Sequence, residues 1–193
     1  RLKSQPFGTQ LSYSETGREW LLHSAFPSQI KDEDFRVSVG GSRCRNPYQA
    51  SILNIGGMSY GSVSRNATLA LNAGTAIGHF AQNTGEGGLT PYHEQNGGDL
   101  IFQFGTGYFG CRNSDGGFDR EKFRKVSCNE AVRMIEIKIS QGAKPGHGGV
   151  LPGPKVSPEI AATRGVPVGV DCISPPHHSA FGTPLELMQF IAE

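Results

Sequence analysis

The sequence predicts an α/β protein in the form of a (β/α)8 TIM barrel, with this chain covering roughly the first half to two-thirds of it. Three observations lead there. From residue 50 onward, short apolar runs alternate with helix-like stretches, the pattern of parallel strands joined through crossover helices. Glycine-rich segments follow the strand-like runs one after another, at the ends where barrel enzymes keep their sites. Closure takes eight strands and roughly 250 residues, whereas about five strand candidates occur in this chain. An open, doubly wound sheet of five strands is the alternative, but no G-x-G-x-x-G fingerprint accompanies it.

The strand candidates are Ser51–Ile55, Ala76–Ala81, Leu100–Phe104, Ile135–Ser140 and the buried-looking run Val168–Ile173. Helical stretches lie between them at Ser64–Asn72, Asn129–Met134 and Ser157–Arg164. Ser157 followed by Pro158 reads as an N-cap with proline at the first helical position, and Gly165 as the stop. Thr183-Pro184-Leu185-Glu186 reads as a capping box, and Leu185, Met188 and Ile191 share one helix face. This helix reaches Glu193 without a stop signal, so the chain is expected to end inside it. Residues 1–49 read as a lead-in segment, with a short strand at Phe35–Val39 halted by Gly40-Gly41, and residues 50–193 as the partial barrel.

Composition narrows the function classes. Glycine (27) and proline (12) are abundant in the 193 residues, while apolar residues are spread along the length, which is a loop-rich globular composition. A net charge of +1 gives no electrostatic case for nucleic acid or a membrane surface. No apolar run approaches the roughly 20 residues a membrane-spanning helix needs. Cys44, Cys111, Cys128 and Cys172 lie far apart without a C-x-x-C pair, which suits neither a zinc module nor a small disulfide framework. A reduced, cytoplasmic setting is expected, with no metal held by these residues.

Four segments are candidates for chemistry, the glycine-rich 56–62, 82–88 and 141–156 and the proline–histidine run 174–178. Glycine lets a ligand approach the main chain, and proline stiffens the loop around it. The third segment adds Lys144 and Lys155, so it suits an anion or a planar cofactor; an ordinary surface turn is the bland alternative. Within Ile135–Ser140 the period is two, which puts the isoleucines on one face and Glu136, Lys138 and Ser140 on the other. A lysine pointing into a barrel is costly unless paired or aimed at a ligand; an ion pair with Glu136 or a solvated face is the alternative. Glu86 stands between glycines, open to hydrogen-bond an amine or move a proton, or else simply solvated. His177 and His178 follow two prolines and are expected to bond the loop rather than share a metal. The stretch Asp119–Lys125 reads as a solvated helix face.

Together, Met58-Ser59-Tyr60-Gly61-Ser62, Asn83-Thr84-Gly85-Glu86-Gly87-Gly88, Ile137-Lys138-Ile139-Ser140-Gln141-Gly142-Ala143-Lys144-Pro145-Gly146, Leu151-Pro152-Gly153 and Ile173-Ser174-Pro175-Pro176-His177-His178 resemble the FMN-binding synthase domain of glutamate synthase, in particular its shorter relatives. The resemblance covers most of residues 50–193; Pro6–Gln10 and the region of Trp20 look like the lead-in of those relatives. It implies a (β/α)8 barrel with FMN at the C-terminal face, where 2-iminoglutarate, formed from 2-oxoglutarate and ammonia, is reduced to L-glutamate. By that resemblance Met58, Ser59, Gly61, Asn83 and Lys138 bind the cofactor, Lys138 near the flavin's N1 and O2. Lys144 and Arg164 hold the 2-oxo acid, and Glu86 and Lys144 are the catalytic pair. It also implies an electron-donor protein or domain, an iron–sulfur cluster only from residues outside this chain, and ammonia taken from solution or derived from glutamine through a partner.

Two positions depart from the large synthases: His147 stands where glutamate is usual, and Val150 where a glutamine contacts the 2-oxo acid. An FMN barrel acting on another amino, 2-oxo or 2-hydroxy acid is therefore an alternative, as is a non-catalytic fragment that needs the rest of the barrel.

Overall fold

A computed structural model describes residues 22, 24–141 and 146–193. Arg1–Asp34 and Phe35–Glu193 form two compact units, and the second carries everything discussed below. Lys144, the Pro6–Gln10 motif and Trp20 lie outside the described residues.

The second unit opens with an antiparallel pair, β1 (Arg36–Val39) and β2 (Tyr48–Ser51), in which Arg36 faces Ser51 and Val39 faces Tyr48. Next comes α1 (Arg65–Gly78), capped by the Ser64 hydroxyl, which accepts the Ala67 N–H at 3.2 Å. The centre is a parallel sheet in the order β3 (Gln82–Asn83), β4 (Leu100–Phe104), β5 (Val132–Ile137), and Ile55 adds a parallel bridge beside Gln82. Crossovers run through α1, through the short α2 (Pro91–Glu94) and through α3 (Arg120–Ser127). Each strand lies beside the one before it in the chain, as consecutive barrel strands do. The molecule is thus mixed α/β with a parallel sheet.

The sheet does not continue past β5 among the described residues. β6 (Val150–Leu151) and β7 (Cys172–Ile173) form a separate antiparallel pair flanking α4 (Pro158–Arg164), and α5 (Pro184–Ala192) follows.

Several boundaries differ from the sequence expectation. Ala76 and Ile77 belong to α1 rather than to a strand; alanine favours helix, and the helix ends only where His79 turns left-handed at φ 52°. The second core strand is accordingly Gln82–Asn83, just beyond the predicted Ala76–Ala81. Of Ser51–Ile55, Ser51 closes the antiparallel pair and Ile55 alone touches the parallel sheet. The run from Val168 yields only Cys172–Ile173 as strand, with Val168 and Val170 exposed, because Gly169 adopts φ 72° and breaks the extension. The caps at Ser157 and Thr183 and the turn at Gly165 stand as expected. So does the solvated face of α3, of which Phe123 and Val126 alone reach the core.

The strand pleat sorts the sheet into two faces. Phe102 and Phe104 of β4 point outward with Ile137 of β5, joining Tyr108, Cys111, Phe118, Phe123 and Phe190 in an aromatic cluster against α3 and α5. Phe104 sits at its middle, 5.1–5.6 Å from four neighbouring rings and the imidazole of His178. Ile135, predicted to share the packed face, remains partly exposed. Gln103 and Glu136 are register partners on the opposite, inner face, and the Gln103 amide donates to the Glu136 carboxylate. Removing the central ring, by Phe104→Ala, should cost about 3–5 kcal/mol, read as a lowered thermal midpoint of the full-length protein; an unchanged midpoint would show that this cluster is not the core.

Candidate functional site

The loops that follow the parallel strands meet at one rim. The loop after Ile55 and the loop after β3 touch through backbone: a Cβ on Gly85, which has φ 67°, would collide with the Ser59 nitrogen. Beneath them, the buried Asn83 amide oxygen accepts the Gly85 N–H at 2.9 Å, so this side chain shapes its own loop. The loop after β5 joins through three polar side chains. Lys138 forms an ion pair with Glu86, Gln141 donates to both Glu86 oxygens at 2.8 and 3.0 Å, and the Gln141 oxygen accepts from Lys138 at 3.2 Å. Lys138 therefore pairs with Glu86 from the loop after β3, across β4, rather than with Glu136, which Gln103 occupies. Its side chain is 30% exposed and that of Glu86 16%, so the pair faces a cleft and not bulk water.

The fourth segment is held from below. His178 is buried and stacks on Phe181 with ring centres 4.4 Å apart. Its Nε2 lies 3.0 Å from the Lys138 carbonyl, which can only accept, so Nε2 carries the proton and Nδ1 receives the Tyr108 hydroxyl at 3.2 Å. The Tyr108 oxygen in turn accepts the N–H groups of Ser179 and Ala180 at 2.9 and 3.0 Å. Tyr108 itself has φ 51°, an uncommon state for a bulky residue, held here by these contacts. His177 is exposed, so the two histidines act separately, as the sequence suggests.

These elements enclose a cavity of about 200 Å³, lined on its polar side by Ser59, Ser62, Glu86, Gln141, Arg164 and Ser174. Phe109, Val150 and Leu151 form the apolar wall. Arg164, the last residue of α4, is 6% exposed. Its Nη2 donates to the Tyr60 carbonyl at 3.1 Å and touches Ser59 Oγ at 3.5 Å; Nη1 reaches Cys172 Sγ at 3.8 Å. Its Nε has no partner among the described residues, and no described carboxylate lies within ion-pairing distance. The guanidinium carbon stands 5.0 Å from the centre of the Phe109 ring, which also carries Arg112 at 5.4 Å.

At the far end of α4, Glu159 accepts the hydroxyls of Tyr60, at 2.5 Å, and Tyr92. Those two bonds hold its carboxyl below the ordinary carboxylate range, and burial together with the Glu159 bond raises the Tyr60 phenol.

Of the residues expected at the site, Ser59, Glu86 and Arg164 line the cavity, and Lys138 meets it through Glu86 and Gln141. Met58 and Gly61 contribute backbone beside it, Gly61 with φ 99° against the Ile160 side chain. Val150 faces the cavity and His147 is exposed. Gln103, Gln141, Phe109, Tyr60 and Glu159 were not singled out. A glutamine inside the apolar run Leu100–Phe104 was the one available signal; the others depend on contacts between distant segments. Among the described residues, no three His, Cys, Asp or Glu side chains gather as for a metal, and no helix is long and apolar enough to cross a membrane.

A parallel α/β sheet whose rim loops bring a lysine–carboxylate pair close to a buried guanidinium from α4 makes this cavity the candidate small-molecule site. The family described as the conserved region in glutamate synthase matches residues 25–193, and the chain belongs to that family. It is 38% identical over 169 residues to the glutamate synthase large subunit-like protein YerD of Bacillus subtilis, covering 86% of this chain and 32% of that protein. Over 126 residues it is 45% identical to an archaeal-type glutamate synthase (NADPH) of Thermotoga neapolitana and 45% identical to an archaeal glutamate synthase (NADPH) of Methanocaldococcus jannaschii. Each of those two matches covers 64% of this chain and 22% of the relative. The chain thus spans about a third or less of the length of these relatives.

Burial lowers the pKa of His178, so the ring is neutral in the folded protein. Its folded value lies below the unfolded 6.5, so its contribution to stability is complete above pH 6.5. As pH falls below that, the unfolded chain takes the proton first and the contribution is lost. The thermal midpoint of the full-length protein should therefore fall between pH 7 and pH 5. The fall should be shallower in His178→Gln, and equal slopes in the two proteins would contradict the assignment.

Proposed function

We propose that this chain contributes the flavin and substrate site of an FMN-dependent oxidoreductase of glutamate synthase type, which forms L-glutamate from 2-oxoglutarate and ammonia through 2-iminoglutarate. One observation carries the reading: Arg164 is a buried guanidinium without a carboxylate partner among the described residues, and it lines the same cavity as Glu86 and Gln141, to which Lys138 is bonded. Burying an uncompensated cation costs several kcal/mol, so such a group is retained where an anion meets it. A guanidinium fork matches a carboxylate in shape and charge.

The residues present fit a flavin. Lys138 and the Gln103 and Gln141 amides are cation and hydrogen-bond donors suited to the oxygen- and nitrogen-rich edge of such a ring. The main chain at Gly56, in the loop after Ile55, has open space where a Cβ would stand, so backbone is open to close approach there. When bound, FMN supplies the hydride. Lys138 would place positive charge beside the cofactor, with Met58, Ser59 and Gly61 lining it through backbone and Asn83 holding the Gly85 turn. Arg164, with Lys144, would orient the 2-oxo acid, and Glu86 would take or return a proton at the amine nitrogen, its carboxylate oriented by Lys138 and Gln141. The apolar wall would keep water from the reacting carbon. The remaining strands of a (β/α)8 barrel, any iron–sulfur cluster, the electron donor and the ammonia source would lie outside this chain.

Val150 supports a second reading. It occupies the cavity wall with Leu151 and Phe109, and an apolar side chain cannot hydrogen-bond a second carboxylate. An amino, 2-oxo or 2-hydroxy acid with an apolar side chain would fit that wall.

Full-length protein reconstituted with FMN should show a bound flavin spectrum. Its photoreduced form should be reoxidised by 2-oxoglutarate plus ammonium faster than by apolar 2-oxo acids. Faster reoxidation by 2-oxo-isocaproate would favour the second reading, and absence of bound flavin would overturn both. Arg164→Lys should raise the 2-oxoglutarate KM about tenfold or more, the loss of one charged hydrogen bond of roughly 1.5–3 kcal/mol, with the flavin still bound. An unchanged KM would remove Arg164 from the substrate site.

A further inference from the structure

Glu159 and Arg164 stand at opposite ends of the seven-residue α4, and both ends are tied to one residue, Tyr60. The Tyr60 hydroxyl donates to Glu159 at 2.5 Å, while its carbonyl accepts Arg164 Nη2 at 3.1 Å. The second Glu159 oxygen receives the Tyr92 hydroxyl from α2. The Tyr92 ring is itself fixed, lying 5.5 Å from the Tyr60 ring with the Arg65 guanidinium 4.8 Å from its centre. A two-turn helix has little stability of its own, so its position is set by what holds it. On its buried side, Ile160 and Ala161 pack with Tyr60, Phe109, Leu151, Val156 and Cys172. That packing is apolar and does not set the direction of a guanidinium; the Glu159 carboxylate supplies the directional contact, through two charge-assisted hydrogen bonds.

We propose that Glu159 is a positioning residue for the cavity's anion site: by accepting the Tyr60 and Tyr92 hydroxyls it fixes α4 against the Tyr60 backbone and so holds the Arg164 guanidinium at the cavity wall. This rests on the reading of Arg164 as the group that binds the substrate carboxylate, but the placement of Arg164 can be measured without any substrate. Glu159 touches neither cavity nor ligand. A glutamine there keeps one acceptor for the two phenols, and an alanine keeps none.

Two readouts test the proposal on the full-length protein. The first is the rate at which phenylglyoxal modifies Arg164, followed by peptide mass spectrometry with the exposed Arg120 as internal reference. Arg164 should be protected in the wild type, react at least threefold faster in Glu159→Ala, and fall between the two in Glu159→Gln. Tyr92→Phe, which removes one hydroxyl from a partly exposed ring, should move the rate the same way by a smaller factor; it serves if Glu159→Ala does not fold. The second is calorimetric titration with 2-oxoglutarate, whose Kd should rise about tenfold in Glu159→Ala and about threefold in Glu159→Gln. An Arg164 labelling rate that ignores all three substitutions overturns the positioning role, whatever the titration shows. Labelling that responds as stated in a protein that does not bind 2-oxoglutarate leaves the positioning role standing and sinks the substrate reading instead.

Discussion

The ion pair between Lys138 and Glu86 joins what the chain keeps apart by 52 residues, and the rest of the site is arranged about it. It bridges the rim loops of β3 and β5 over the inner face of β4, where the Gln103 and Glu136 side chains fill the layer beneath. A partly desolvated pair gives little net stability, because the cost of removing two ions from water offsets most of their attraction. Its value lies in direction. Gln141 bonds both carboxylate oxygens and the lysine amine together, so charge and orientation of Glu86 and Lys138 are set before any ligand arrives. Such prior ordering makes fixed charges effective in a cleft with little water.

The cavity is electrically lopsided. Lys138 and Glu86 neutralise each other, whereas among the described residues Arg164 has only a carbonyl, a hydroxyl and a thiol for company, with the Phe109 ring centre 5.0 Å away. An incoming anion is therefore drawn to Arg164, and the neutralised pair remains for an uncharged or proton-exchanging group. Phe109, Val150 and Leu151 supply the apolar lining.

What the sequence could tell follows physical lines. Local signals were read well: the caps at Ser157 and Thr183 are spoken by neighbours in the chain, as is the two-residue period that turns Lys138 inward. The rim loops stand out as candidates because glycine and proline cluster in them. Partners were harder. The sequence offers Lys138 only Glu136 as an acidic partner; the structure pairs it with Glu86, while Glu136 accepts from Gln103, a register partner that no linear pattern announces. Strand ends were misjudged where a helix former outran the apolar pattern, at Ala76–Ile77, and where one left-handed glycine, Gly169, cut an apolar run short. Arg164 was placed by family resemblance, and its isolation from carboxylates became visible only in three dimensions.

Tyr108 shows how the fourth rim segment tolerates change. Its hydroxyl spends its proton on His178 and its lone pairs on the amides of residues 179 and 180. Those two positions are held chiefly through main chain, Ser179 adding only a long hydroxyl contact at 3.4 Å, so their side chains have latitude to drift among homologous proteins, proline excepted for want of an N–H. The phenol has no such latitude: a phenylalanine would strand two amides at once and deprive the imidazole of its donor. Variation along this edge of the molecule should accordingly be asymmetric, permissive at the residues being held and strict at the one that holds them.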